Sequence, residues 1–349
     1  MTALSEATAG TYSRLADLPL VVESYSFEGL SRPWSSEFTR RTTVVRLEGG
    51  GHVGVGEDVT YTPADHDNLA RPALAGSFTL ATFCRRLDQL DLFARRPQRR
   101  DSYSHRQWAF ESAALDLALR QNSLSLAEAL GREPQPVRFV ASMRLPEPAS
   151  IGPVLRRLDL YPDLRLKLDV TGSWDENLIA LLAATRAVDT VDFKAHYDGL
   201  PVESAVDVEL YRRVVEGLPD AWLEDPALTP ATDPVLAPHA SRITWDAPFR
   251  SVADISALGT RPMMVNVKPS RFGTLETLLE ALDHLEAEGI GAYGGGQFEL
   301  GPGRGQIQHL AALFHPDAPN DVAPLGYHEV EAGLPHSPLL VPTDTDGFR

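Results

Sequence analysis

Trp222-Leu223-Glu224-Asp225-Pro226 is a short apolar run closed by acids, and Ile243-Thr244-Trp245-Asp246-Ala247 repeats the arrangement roughly twenty residues later. Upstream, Leu164-Arg165-Leu166-Lys167-Leu168 alternates, which places Arg165 and Lys167 on one face; downstream, Met263-Met264-Val265-Asn266-Val267-Lys268-Pro269 ends in a lysine. Between such runs lie helical stripes: Tyr211, Val214, Val215 and Leu218 follow the i, i+3, i+4, i+7 rule, as do Leu275, Leu278, Leu279 and Leu282. Short apolar runs alternating with amphipathic helices call for a parallel sheet. Eight strand candidates begin near Val137, Leu164, Thr190, Ala221, Arg242, Met263, Gly291 and Asp321. An open doubly wound sheet usually announces a Gly-rich turn after its first strand, and Ser142-Met143-Arg144-Leu145 is no such turn. The expectation is an α/β fold, a (β/α)8-type barrel over residues 131–330.

Ahead of the barrel the pattern differs. Residues 19–27 and 41–47 are rich in Val, Thr and aromatics, with Gly49-Gly50-Gly51 where a hairpin turn belongs. Trp108, Ala109, Phe110, Ala113, Ala114, Leu117 and Ala118 then recur at helical spacing, so residues 105–121 read as a buried Ala-rich helix. Residues 1–130 form an α+β module, and the Pro-rich tail 331–349 is expected to pack back along it.

Composition narrows the function. The chain has 349 residues, 43% apolar and 23% charged, which suits a soluble globular protein with a sizeable core. A net charge of −16 repels phosphate backbones and anionic lipid, so neither nucleic acid nor membrane is expected as partner. The one basic run, Arg95-Arg96-Pro97-Gln98-Arg99-Arg100, is short and reads as a solvated loop. Cys84 is the only cysteine, the opening Met1-Thr2-Ala3-Leu4-Ser5-Glu6 lacks signal-peptide features, and apolar runs such as 178–184 are too short to span a bilayer. A cytoplasmic location is the expectation.

Chemistry in a barrel sits at the C-terminal strand ends. Lys167, Glu224, Asp246 and Lys268 fall at one predicted height on four different strands, so their charges should share a cavity. Acids offering only oxygen suit a hard cation such as Mg2+. Lysines flanking a metal-bound substrate suit proton transfer at carbon, because a partly desolvated lysine among cations has a lowered pKa.

Arg165-Leu-Lys167, Leu-Glu224-Asp-Pro, Thr-Trp-Asp246, Val-Lys268-Pro-Ser and Gly294-Gly295-Gly296-Gln297-Phe298-Glu299, in this order behind an α+β module, resemble the enolase superfamily, and within it the muconate-lactonizing (muconate cycloisomerase-like) subgroup. The resemblance runs from Val44-Val45-Arg46-Leu47 and Gly54-Val55-Gly56-Glu57 to the Gln306-Ile-Gln-His-Leu helix. It implies an isomerase or lyase that removes a proton α to a carboxylate and holds the enediolate on Mg2+, as cycloisomerases, racemases and syn-dehydratases such as o-succinylbenzoate synthase do. The N-terminal module would cap the barrel, with loops at residues 27–40 and 58–67 choosing the substrate, a small-molecule carboxylate; a homo-oligomer is expected. Lys167 and Lys268 match the acid/base lysines and Glu224 and Asp246 two metal ligands; Arg165, Lys194, Gln297 and Glu299 are candidate substrate contacts.

The third barrel strand departs from the family's Asp-Ala-Asn, reading Thr190-Val191-Asp192-Phe193-Lys194-Ala195-His196. Asp192 is the expected third metal ligand, because it ends an apolar run; in the other register Lys194 takes the aspartate's place and metal binding weakens. Gly294-Gly295-Gly296 suits a tight strand-end turn better than a phosphate cradle. His309 reads as structural, while His196 and His328 could face the cavity. The rival class is a barrel that binds an acidic metabolite without metal or turnover; an aldolase would need Lys268 as Schiff base, and a hydrolase a His-rich cluster that is absent.

Overall fold

The computed structural model describes residues 10–33, 39–196, 206–258, 261–341 and 345–349. The opening Met1-Thr2-Ala3-Leu4-Ser5-Glu6 and part of the 27–40 segment lie outside the described residues.

In the N-terminal module β1 (Pro19–Val22) does not continue into β2 (Ser24–Pro33), as one run over 19–27 would suggest. β2 pairs with β3 (Thr39–Gly49), β3 with β4 (His52–Asp58), and β1 leaves to pair with β5 (Gly76–Thr79), all antiparallel. The β3–β4 turn is made by Gly50 (φ +56°) and Gly51 (φ +78°), the left-handed pair that a two-residue hairpin requires. The expected 27–40 loop is therefore largely hairpin: Phe27 faces Val45 and Pro33 faces Thr39 in register. Helix Asp101–Gln121 packs across β4, and at Gly56 a Cβ would stand 2.1 Å from the Ala109 carbonyl oxygen. Only glycine permits that approach. Phe348 of the tail, fully buried against Trp108, donates its N–H to Asp116 at 2.8 Å.

β6 (Val140–Arg144), β7 (Arg165–Asp169), β8 (Val188–Asp192), β9 (Trp222–Glu224), β10 (Ile243–Trp245), β11 (Met264–Val267) and β12 (Gly291–Gly294) form a curled parallel sheet in chain order. The eighth expected strand, near Asp321, is reduced to two residues. Asp321 donates its N–H to the Gly294 carbonyl at 2.7 Å, and the Asn320 carbonyl accepts from Val140 at 2.8 Å, which joins the last strand to the first. Pro319 and Pro324 bracket this segment, and without N–H groups they end the ladder. The result is a (β/α)8-type ring in which β7 holds the second position and β11 the sixth. No helix among the described residues is long and apolar enough to cross a membrane.

Candidate active site

Strand alternation fills the ring's mouth with charge. Lys167 lies on the inward face of β7 and is fully buried; its Nζ contacts Glu224 Oε1 directly and lies 3.4 Å from Asp192 Oδ2 and 3.6 Å from Asp321. Asp192 ends β8 in register with Glu224, which ends β9. Lys268 follows β11 and gives its Nζ to Asp246 at 2.7 Å. Pro269 starts the helical turn Pro269–Phe272, which brings Arg271 back onto Asp246, 2.8 Å from Oδ1 and 2.7 Å from the carbonyl oxygen.

The third strand brings both Asp192 and Lys194 to the mouth, with Asp192 at the strand end level with Glu224. Asp192 faces the mouth, and Lys194, two residues on, turns its ammonium onto Asp192 Oδ2 and to 3.5 Å from Asp169. Among the described residues one trio of carboxylates, Asp192, Glu224 and Asp225, has oxygens within 4.8 Å of one another. Asp225 accepts the N–H groups of Asp246 at 2.8 Å and Ala247 at 2.9 Å.

Not every expected site residue joins this group. Arg165 shares a face with Lys167 but sits at the opposite, N-terminal end of β7, half exposed and bound to Asp189. The rise of about 3.3 Å per residue along a strand carries it away from the mouth. Gln297 and Glu299 lie instead where the N-terminal module meets the mouth: Tyr61 donates its hydroxyl to Gln297 Oε1 at 2.7 Å, and Gln297 donates its N–H to Glu299 Oε1 at 2.8 Å. Of the histidines, His309 binds the Gly305 carbonyl within its helix, His196 is exposed against Trp245, and burial pulls His328 down to about 4.

Five participants carry no role assigned from the sequence pattern: Asp225, seen there only as the neighbour of Glu224, and Asp169, Tyr293, Arg271 and Asp321. Asp169 extends the alternation of Arg165 and Lys167 by two and could have been found that way. Tyr293, inward on β12, donates its hydroxyl to Glu224 Oε2 at 2.6 Å. Arg271 depends on the turn after Pro269, and Asp321 on the truncated eighth position.

The electrostatics are unbalanced. Asp169, Asp192, Glu224, Asp225, Asp246 and Asp321 bring six carboxylates; Lys167, Lys194, Lys268 and Arg271 bring four cations. Burial, then the charges of Asp246 and Asp192, lift Asp225 to about 6, and burial raises Glu224 well above the carboxylate range despite Lys167. Burial would lift Asp246 as well, but Arg271 and Lys268 hold it well below. Burial draws the Lys268 ammonium down, whereas at Lys167 the surrounding acids outweigh burial and hold it up. A dry cluster with surplus acid and oxygen-only donors fits a divalent cation, which would remove the cost of the uncompensated charges.

Two family models match the chain: the N-terminal domain of DUF8230, a domain of unknown function, over residues 13–129, and its C-terminal domain over residues 133–329. No curated protein matches the sequence. Among solved structures, the muconate lactonizing enzyme from Pseudomonas fluorescens, complexed with muconolactone, is similar with a TM-score of 0.66 at 19% identity, over 94% of this chain and 96% of that one. The dipeptide epimerase from Methylococcus capsulatus, complexed with Mg ion, gives 0.67 at 20%, over 86% and 90%. A member of the enolase superfamily from Listeria innocua gives 0.58 at 18%, over 88% and 83%. The chain thus has the fold of the enolase superfamily, and it belongs to the DUF8230 family, whose two domain models together span nearly its whole length.

Proposed function

We propose that the protein is an isomerase or lyase that removes a proton from the carbon next to the carboxylate of a small molecule, with Lys167 and Lys268 as its acid/base pair. The observation that carries this reading is the placement of the lysines half-way round the ring from each other, at its second and sixth positions, each ammonium bound to acids of the same mouth. A planar carbanion between two such groups loses a proton to one and regains one from the other, which epimerisation, cycloisomerisation and elimination all need. Burial of both lysines keeps bulk water from competing for that proton. Asp192 and Glu224 would hold Mg2+, with Asp225 the third acid within reach; Asp246, the further ligand expected from the sequence, gives its carboxylate to Lys268 and Arg271. Bound there, the cation would supply electrostatic stabilisation of the charge that develops on the substrate carboxylate. Gln297 and Glu299, next to Tyr61, would contact the rest of the substrate.

The test is solvent exchange: the protein, Mg2+ and a panel of small carboxylates bearing an α-hydrogen, incubated in D2O and read by mass spectrometry. Deuterium gain or an isomeric or eliminated product is expected, lost in both Lys167→Ala and Lys268→Ala. Exchange that persists at full rate in either variant removes that lysine from the mechanism. One observation favours a second reading, metal-free binding of an acidic metabolite: the Lys194 ammonium already on Asp192. That reading expects carboxylate binding indifferent to Mg2+ and no exchange.

A further inference from the structure

Lys194 breaks a backbone rule inside the mouth. It has φ +53°, a left-handed conformation that residues with a Cβ rarely adopt. The conformation is tied down on both sides: the Lys194 N–H donates to Asp192 Oδ1 at 3.0 Å, and the Ala195 N–H donates to the Asp225 carbonyl at 3.2 Å. This turn folds the side chain back over the strand end and delivers the ammonium to Asp192 Oδ2, with Asp169 3.5 Å away. Asp192 is also one of the three acids whose oxygens lie within 4.8 Å of one another. Its carboxylate is therefore claimed twice, by the ammonium two residues away and by any cation the trio holds.

We infer that Lys194 is a tethered counterion that competes with a divalent cation for Asp192, so that it weakens metal binding and keeps the metal-free acids together. The inference rests on the reading that these acids hold a metal. Its physical basis is repulsion: an ammonium and a divalent cation sharing one carboxylate stand a few ångströms apart, where repulsion is many times thermal energy even at the effective dielectric of a protein surface. Metal entry then requires the ammonium to withdraw. The side chain has somewhere to go, because at 13% exposure it reaches solvent, whereas Lys167 at 2% does not. Withdrawn, the ammonium would stand at the entrance through which a substrate carboxylate arrives.

Calorimetric titration with MgCl2 tests this on the wild type, Lys194→Asn, Lys194→Met and Lys194→Arg. Asparagine tolerates the left-handed backbone, methionine keeps the length without the charge, and arginine keeps the charge. The Asn and Met variants are expected to bind Mg2+ roughly tenfold or more tightly than the wild type, and Arg to stay within about threefold of it. Mg2+ should accordingly raise the melting temperature of Asn and Met further than that of the wild type, a readout that also reports their folding. Equal or weaker binding by both neutral variants, with measurable binding by the wild type, overturns the competition and leaves the metal reading standing. Absence of binding in all four proteins overturns both.

Discussion

Inside the N-terminal module, Arg106 gives its guanidinium to Asp58 at 2.8 Å and to the carbonyls of Asn68, Leu92 and Asp65. Arg40 likewise binds the carbonyls of Thr60, Val59 and Gln297, and the Glu57 carboxylate accepts the N–H groups of Leu300, Gly301 and Gly303 at the start of helix Pro302–Phe314. At the mouth, by contrast, Lys167 is held by the carboxylates of Glu224, Asp192 and Asp321, and Lys268 by Asp246. Both regions bury charge completely, but their partners differ in what they can do. Peptide dipoles are fixed by the fold, so a charge matched to them is locked; side-chain carboxylates can exchange an ammonium for a cation or a substrate. Arg106 thus ties the N-terminal module to itself, Arg40 and Glu57 fasten it to the barrel, and the carboxylate arrangement lets its groups react.

The largest effect that could break this contrast is on turnover. Lys167→Ala and Lys268→Ala should each lower the exchange rate by about 10²–10⁴-fold, while circular dichroism shows the fold retained. Inside the N-terminal module the order reverses. Arg106→Met leaves Asp58 buried without its cation and should cost about 3–5 kcal/mol in denaturant unfolding; a loss below about 1 kcal/mol would show that the charge is not locked.

Glu111 sharpens the comparison through pH. It is buried on helix Asp101–Gln121 and accepts the Leu275 N–H across the junction at 2.7 Å, and burial lifts it from 4.5 to about 7. The folded protein therefore holds this proton more tightly than the unfolded chain. Its contribution is complete below pH 4.5 and is lost as pH rises through about 7. Glu111→Gln should match the wild type near pH 4 and exceed it at pH 8 by up to about 3 kcal/mol, measured by paired melts. A gap that does not widen with pH would contradict the burial argument. The smallest effect belongs to Arg165, half exposed on Asp189: Arg165→Ala should cost less than about 1 kcal/mol and leave exchange untouched.

How much of this was legible follows from the range of the interactions. Strand positions and the lysine and acid ends came from alternation and apolar runs, which are local, so β7 to β12 lie where the runs were. The same rule misplaced Arg165, because sharing a face with Lys167 says nothing about height along the strand. The register at Asp192 and Lys194 was undecidable from pattern, since the answer lies in a positive φ that lets both residues face the mouth. Tyr293 reaches Glu224 from the seventh strand across to the fourth, and Asp321 reaches Lys167 through the closure of the eighth position onto the first; strand starts near Gly291 and Asp321 were legible, but these cross-ring contacts are not encoded locally. Arg40 and Glu57 at the junction, and Arg106 within the N-terminal module, were invisible for a similar reason: most of their partners are backbone groups tens to hundreds of residues away.

A crystal structure of the protein grown with Mg2+ and a small dicarboxylate such as malonate tests the central claim most directly. The cation is expected on Asp192 and Glu224, the Lys194 ammonium displaced from Asp192, and the malonate methylene between the Lys167 and Lys268 ammonium groups. A cation bound elsewhere, or malonate held away from either lysine, would contradict the claim.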